Sequence, residues 1–551
     1  MRGRPGEAAA AAVGLPLGAR SGSPAGSDGR QTGGESAGPS VSGWLGRAAV
    51  AAVLAAGVGG LFYAYLLQSR ILPTDADGAS NALQAWDMLH GNVLLSGWSL
   101  SDVSFYTTEL PEYMLVELVR GLNADVVHVA AAITYTLVGV LAMVLAIGRA
   151  TGREAAVRVL VVAAIMLAPA LGTASGVLLL SPDHVGTQVP LLLILLVLDR
   201  VKPRWYVPVV IAALLAWAEV ADLLVVLVGA VPLAVVAAVR LFRHPARRYD
   251  LGLLAAALVS VPAAEGVLSL IRHAGGFAVS NPLIMVVSAG DIPYHLRVTA
   301  GSVLLLYSAD FFYTWLGGLR FVALLQLAGL ALAGLASGVS LRGIVRDGSR
   351  VSQVIVAAIV VNLAAYTFSA AIPGVGSARE LAAVLPLGAV LAARITAQRL
   401  IAGKLIPVVL AAVLGCAGIL AYNAGRPPSP AAAQNVADWL AARHLSYGLG
   451  GYWQANNVTL ASGGRIQVRP VSPWTDRVGQ YRWESEDSWY NPGLHDATFL
   501  VIDTTSPRNA WYATASEARA TFGPPVSSCN LGEYTVLIWN KNLLGYLSRQ
   551  P

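Results

Sequence analysis

From Ala48 to Tyr422 the chain returns repeatedly to apolar stretches of about 15 to 25 residues, parted by short loops that carry arginine. A stretch of that length matches one crossing of a bilayer's hydrocarbon core, and a soluble core has no room for so many. Composition agrees, with 56% apolar and 12% charged residues and a mean hydropathy of +0.61. The fold expected is an all-α polytopic membrane bundle. Its helices fall near 48–67, 126–147, 157–178, 186–198, 205–218, 222–239, 251–270, 319–340, 351–370, 381–395 and 405–422, eleven spans in all. Residues 1–47, rich in Gly, Ala, Ser and Arg, read as a disordered tail rather than a signal peptide.

Charge gives the bundle a direction. Of the 37 Lys and Arg, 21 lie in the tail and in loops 148–158, 199–204, 240–250, 341–350 and 394–404. The alternate loops hold six, Arg70, Arg120, Arg272, Arg297, Arg320 and Arg379, and the remaining ten follow residue 425. The positive-inside rule then makes the N-terminus cytoplasmic, and an odd number of spans puts 68–125, 271–318 and 425–551 outside. The formal charge of +6 therefore reports orientation, and no nucleic-acid partner is implied. Asp75, Asp77, Asp87, Asp102, Glu109, Glu112, Glu117 and Asp125 all fall in the first outer segment. Of the two cysteines, Cys416 belongs to a span and Cys529 to water, so they do not pair.

Two apolar segments depart from simple spans. Residues 205–240 are interrupted by Trp217-Ala218-Glu219-Val220-Ala221-Asp222, which predicts two short helices meeting at the outer surface. Segment 298–316 suits an outer-surface or re-entrant helix. After Gly425-Arg426-Pro427-Pro428-Ser429-Pro430 the composition turns polar and aromatic, marking a linker and an extracytoplasmic α/β domain over 425–551. A helix is expected at 431–444 and strands at 447–453, 457–461, 465–471, 497–503 and 534–540. Seven of the thirteen tryptophans lie there, as core, interface or sugar-stacking residues.

The first outer loop opens with Leu72-Pro73-Thr74-Asp75-Ala76-Asp77-Gly78, followed by Ala79, Ala82, Leu83, Trp86 and Leu89 at helical spacing. Asp75 or Asp77 can cap that helix, or can serve as a general base that takes a proton from a sugar hydroxyl. Arg379 lies in Gly376-Ser377-Ala378-Arg379-Glu380-Leu381-Ala382-Ala383-Val384-Leu385-Pro386. It can anchor a helix end in the interface or hold a phosphate with its planar fork.

These two motifs resemble those of the glycosyltransferase C superfamily, membrane enzymes of the protein mannosyltransferase and aminoarabinose transferase type. The first matches the acidic motif that such enzymes carry after their first helix. The second is similar to their G-x-R-Y-L-x-P-x-L-P stretch, with Glu380 at the usual aromatic and Ala383 at the first proline. The resemblance implies a polyprenyl-phosphate-linked sugar as donor, a cell-envelope glycan, lipid or protein as acceptor, and inversion at the anomeric carbon. It assigns Asp77 or Asp75 as base and Arg379 as phosphate ligand, with Arg272, Arg297 and His184 available to help.

Other residues enter on their own chemistry. Glu219 and Asp222 lie where burial of charge is costly, so they face water or partners as site-wall residues, or the helix break lifts them to the interface. Asp183 and His184, in the Ser181-Pro182-Asp183-His184 turn, either line the same cavity or are merely solvated. Trp453 and Asn456, in the glycine-punctuated run Tyr447–Asn456, are candidate acceptor or lid residues. No metal ligand set is assigned, and a divalent cation near the acidic loop stays open. Nucleotide-binding and hydrolase motifs are absent from the sequence. A carrier of a lipid-linked substrate and a non-catalytic glycan-binding membrane protein remain alternatives. The high Ala, Gly, Val and Arg content suggests a bacterial plasma membrane as the setting.

Overall fold

The structure, a computed structural model, describes residues 41–243, 248–280, 285–310, 320–344, 348–505 and 513–548. The chain divides into two units, residues 1–55 and 56–551. In the first, only the helix from Val41 onward is described, so the expected tail over 1–40 lies outside the described residues. That helix begins seven residues before the expected start of the first span.

The membrane part is built from α1 (Val41–Ser69), α2 (Ala76–Leu89), α3 (Glu109–Arg120), α4 (Asp125–Ile147), α5 (Gly152–Met166), α6 (Ser175–Leu178), α7 (Gln188–Arg200) and α8 (Tyr206–Ala221). It continues through α9 (Val231–Arg243), α10 (Arg248–His273), α11 (Ile292–Leu306), α12 (Arg320–Ile344), α13 (Arg350–Phe368), α14 (Val384–Ala402) and α15 (Ile406–Ala424). Among the described residues eight helices are long and apolar enough to cross a bilayer. The chain is thus a multi-pass membrane protein. Three of the eleven expected spans, α5, α7 and α8, have 15, 13 and 16 residues.

The expected span 157–178 is interrupted. α5 stops at Met166 and the chain turns before the four-residue α6. Pro169, just past the end of α5, cannot continue a helix, and Gly172 takes a positive φ of 79° in the turn that follows. The predicted break in 205–240 is present, with Asp222 extended after α8 and a π-helical turn, Val226–Ala230, leading into α9. Segment 298–316 begins earlier than expected, as α11, and its residues beyond 310 lie outside the described ones.

The C-terminal region holds α16 (Gln434–Ala441), α17 (Tyr452–Ala461) and α18 (Ala515–Phe522). Two short strands, β1 (Trp98–Leu100) and β2 (Ala278–Val279), come from loops of the membrane part. The others are β3 (Tyr447–Gly450), β4 (Gln467–Trp474), β5 (Arg477–Gln480), β6 (Ser485–Glu486), β7 (Phe499–Asp503), β8 (Ser527–Asn530) and β9 (Tyr534–Ile538). The main sheet has the order β5-β4-β3-β7-β9-β8, with β3 parallel to β4 and β7. Side-chain alternation covers both faces. Phe499 and Val501 pack under α16 and α17, while Leu500 and Ile502 join Leu83, Met88, Trp98 and Phe277 from the membrane part. The expected strand over 457–461 is instead the second half of α17, and strand 447–453 ends at Gly450. Val458 and Thr459 favour a strand locally, but their burial between α16 and the sheet selects the helix.

A second sheet, β2-β1-β6, ties the C-terminal region to two membrane-part loops, with Trp98 opposite Glu486 and Ser99 beside Ala278. At the carboxyl end of β3, Gly451 turns the chain into α17, whose start faces α2. This β3-to-α17 connection brings the C-terminal region to the acidic loop.

Candidate functional site

The site begins with the capping of α2. Asp75 is extended and its Oδ1 accepts from the Gly78 amide at 3.2 Å, which leaves Asp77 one position inside the first turn. The turn before α7 brings in Ser181 and Asp183. Ser181 Oγ lies 3.1 Å from Asp75 Oδ2 and 2.9 Å from Asp183 Oδ2, and Asn81 Nδ2 donates to Asp183 Oδ1 at 2.6 Å. One hydroxyl proton cannot satisfy both carboxylates. Burial first, and then the charges of Asp183 and Asp77, push the Asp75 carboxyl up to about 8. At neutral pH Asp75 therefore keeps a proton for Ser181, and Ser181 donates to Asp183. Burial also raises Asp183, an effect that Asp77 reinforces and Arg379 opposes.

Asp77 is served from two distant parts of the chain. Arg379, on the 3-10 turn Val375–Leu381, donates from Nη2 to Asp77 Oδ2 at 2.7 Å, and its Nη1 is 3.9 Å from Asp183. Tyr452, at the start of α17, donates its hydroxyl to Asp77 Oδ1 at 2.9 Å and also touches Glu484. The single tyrosine proton again serves one acceptor. Glu484 is buried, and that burial, with Asp77 nearby, lifts it to about 8, so Glu484 holds its own proton.

These groups open into a cleft of about 240 Å3 lined by Asp77, Asp183, His184 and Arg379 from the membrane part and Tyr452, Trp453, Tyr481, Trp483 and Glu484 from the C-terminal region. Ser101, Asp102, Val103 and Phe105 complete the wall. His184 supplies a second cation there. Burial alone opposes a charged imidazole, but Asp222 at 2.8 Å from Nδ1 outweighs it and raises His184 to about 9. Asp222 is buried as well, yet it stays below the usual carboxylate range because His184, the Leu224 amide and Thr187 compensate its charge. With Nδ1 turned to Asp222, the other ring N–H of His184 is available to the cleft.

Asp75, Asp77, Asp183, His184, Asp222 and Arg379 thus converge. Trp453 lines the cleft, and buried Asn456 reaches the Ala76 carbonyl at 3.4 Å, a supporting contact rather than a lining one. Arg272 and Glu219 border a separate cavity of about 40 Å3 beyond the wall made by Asp102 and Val103. Arg297 lies on α11 with its Nε directed to the Pro293 carbonyl, and it borders neither cavity. Tyr452, Tyr481 and Glu484 were not singled out from the sequence, and Trp483 only as one of the seven C-terminal tryptophans. Their signal was slight, an acid set among aromatics in Tyr481-Arg482-Trp483-Glu484.

Oxygens of Asp75, Asp77 and Asp183 come within 4.8 Å of one another, a hard donor set of the kind divalent cations use. In the arrangement seen, all six carboxylate oxygens are engaged by protein groups, five as acceptors and Asp75 Oδ2 through its proton to Ser181, and Arg379 supplies the positive charge. A cation would have to displace that guanidinium.

No family model and no curated protein matches the chain. Solved structures do. The Archaeoglobus fulgidus oligosaccharyltransferase, tethered with an acceptor peptide containing the NVT sequon, aligns over 81% of this chain and 69% of its own, at 10% identity and a TM-score of 0.43. Its apo form gives the same figures. ArnT from Cupriavidus metallidurans in the apo state aligns over 92% of this chain and 100% of its own, at 14% identity and a TM-score of 0.44. Likeness at that level lends no substrate to this chain, and the chemistry has to be read from its own cleft.

Proposed function

We propose that this protein is a membrane glycosyltransferase that moves a sugar from a polyprenyl-phosphate carrier to an extracytoplasmic acceptor. The observation that carries the reading is the meeting of Asp77 and Arg379 at 2.7 Å, across 302 positions of sequence, in a cleft walled by aromatic side chains. An acceptor hydroxyl placed beside Asp77 loses its proton to that carboxylate while its oxygen attacks the anomeric carbon. The bond from that carbon to the phosphate oxygen breaks, and the electron pair leaves with the phosphate. Arg379 and the charged His184 stabilise the negative charge that builds there. Attack opposite the leaving group inverts the anomeric centre.

The resting ion pair adds an order to these events. Both oxygens of Asp77 are already engaged, one by the Arg379 guanidinium and the other by the Tyr452 hydroxyl. A donor phosphate competes for the same Arg379 fork, so donor binding frees Asp77 when the sugar is in place. Trp453 and Trp483 offer flat apolar faces to the sugar and keep water from the reacting carbon. The cleft, the C-terminal region and the first loop are assigned to the outer side on the arginine distribution, in a bacterial plasma membrane.

Sugar transfer from polyprenyl-phosphate donors in purified membranes tests the reading. Asp77→Asn is expected to lower turnover by about 10²- to 10⁴-fold with donor binding retained. Arg379→Ala is expected to raise the donor KM and to lower kcat as well. Full activity in Asp77→Asn removes the general base, and unchanged donor kinetics in Arg379→Ala remove the phosphate ligand.

A further inference from the structure

At the other end of the bundle, α4, α7 and α14 surround a second polar cavity of about 490 Å3. These helices also carry the catalytic end. α4 follows Arg70 and Arg120 at Asp125, α7 follows Asp183, and α14 follows Arg379. With 23 residues, α4 extends about 34 Å, the thickness of a hydrocarbon core. The two cavities therefore belong to opposite membrane faces.

Four arginines line this one, Arg149, Arg158, Arg350 and Arg394, against two carboxylates, Glu154 and Asp199. Three are held in place by partners. Arg158 donates to Glu154 at 2.6 Å and to the carbonyls of Ala146 and Ile147, and Arg394 pairs with Asp199 at 2.7 Å and caps Leu145. Arg350 reaches Asp250 behind the wall at 2.9 Å. Arg149 is exposed and has no ion pair among the described residues, and the Nε of Arg158 is buried without an acceptor. The lining thus carries two positive charges in excess.

Backbone adds to this. α5, of 15 residues, and α13, of 19, both begin at the cavity, and neither Thr151 nor Ser349 at their N-caps supplies a side-chain hydrogen bond. Free amides at two helix starts, among arginine forks, match an anion with several oxygens directed outward from one centre. A carboxylate has too few oxygens to meet both starts and the forks. We propose that the cavity formed by Arg149, Arg158, Arg350 and Arg394 with the starts of α5 and α13 is a binding site for a phosphate group, separate from the catalytic cleft. Two sources offer that chemistry at a membrane face, the headgroup of an anionic lipid and free phosphate.

The test uses the full chain. In detergent it is titrated with inorganic phosphate by calorimetry, and in phosphatidylcholine nanodiscs its thermal stability is compared with and without phosphatidic acid. Saturable heat with phosphate assigns a soluble ligand, and stabilisation by phosphatidic acid alone assigns a lipid headgroup. Arg149→Ala removes an exposed charge that supports no fold contact, and it is expected to weaken whichever response is seen about tenfold. Ser349→Asp places a good cap on α13 and a repelling charge in the cavity. It should weaken the response at least as much while leaving the ligand-free Tm unchanged or higher, which separates lost binding from unfolding. No response in either medium, or a response that both variants leave intact, overturns the site.

Discussion

Asp75 and Asp77 carry the same functional group two positions apart, and their surroundings give them different work. Asp75 is drawn into the cap of α2, between Gly78 and Ser181, while Asp77 lines the cleft opposite Arg379. Asn is as good a cap as Asp, and its amide can donate to Ser181 as a protonated carboxyl does. Asp75→Asn should therefore keep activity within a few fold, in contrast to Asp77→Asn. Its stability should differ in pH dependence as well. With a folded value of about 8 against 3.8, Asp75 makes the native state hold an extra proton between those pH values, so stability falls as pH rises through that window. The variant lacks that slope, and thermal unfolding at pH 5 and pH 8 reads the difference.

His184 shifts in the same direction, in a higher window. Its value of about 9 lies above the ordinary 6.5, so its contribution is complete below 6.5 and is lost as pH rises through 9. Donor binding that uses the imidazolium should weaken over the same upper range, and a donor KM flat from pH 7 to 10 would exclude that role. Asp77, Asp183, His184 and Arg379 were legible because each stands in a short local pattern. Tyr452 and Glu484 follow Asp77 by several hundred residues with no repeat or spacing to link them, and only folding supplies the connection.

Among the elements, α2 depends on one glycine. A Cβ at Gly78 would lie 2.7 Å from Asp75 Oδ1, 2.8 Å from Val127 Cγ1 and 3.0 Å from the Ser181 Cβ. Gly78→Ala has to push the cap, α4 or the Ser181 turn, at a cost of about 1 to 3 kcal/mol. A lowered Tm together with reduced transfer is expected, and wild-type values for both would show that the turn has slack. Apolar length made the long spans legible, although α1 starts seven residues before its expected bound and α14 ends seven residues after. It failed at α5, where Pro169 and Gly172 stop a run that hydropathy alone continues. It also failed at α17, where β-branched residues fit a helix because both flanking layers are already formed around it.

At the level of the whole molecule, arginine counting makes a statement about sides. Cys529 is partly exposed on β8 and Cys416 is buried in α15, and neither is in a disulfide. A membrane-impermeant maleimide applied to intact cells should label Cys529 and spare Cys416. Labelling that appears only after the cells are opened would turn the C-terminal region, and the cleft with it, to the inner side.

The small sheet β2-β1-β6 bears on when the cleft comes into existence. Its strands lie near residues 98, 278 and 485, so the earliest waits through almost 400 residues of synthesis for its last partner. Tyr452, Trp453, Trp483 and Glu484 belong to the same late portion. A chain still being inserted therefore exposes an acidic loop with half a wall and no aromatic roof. The cleft closes only after residue 485 has been made, and a chain that stalls before then carries the acidic loop without the aromatic wall that faces it.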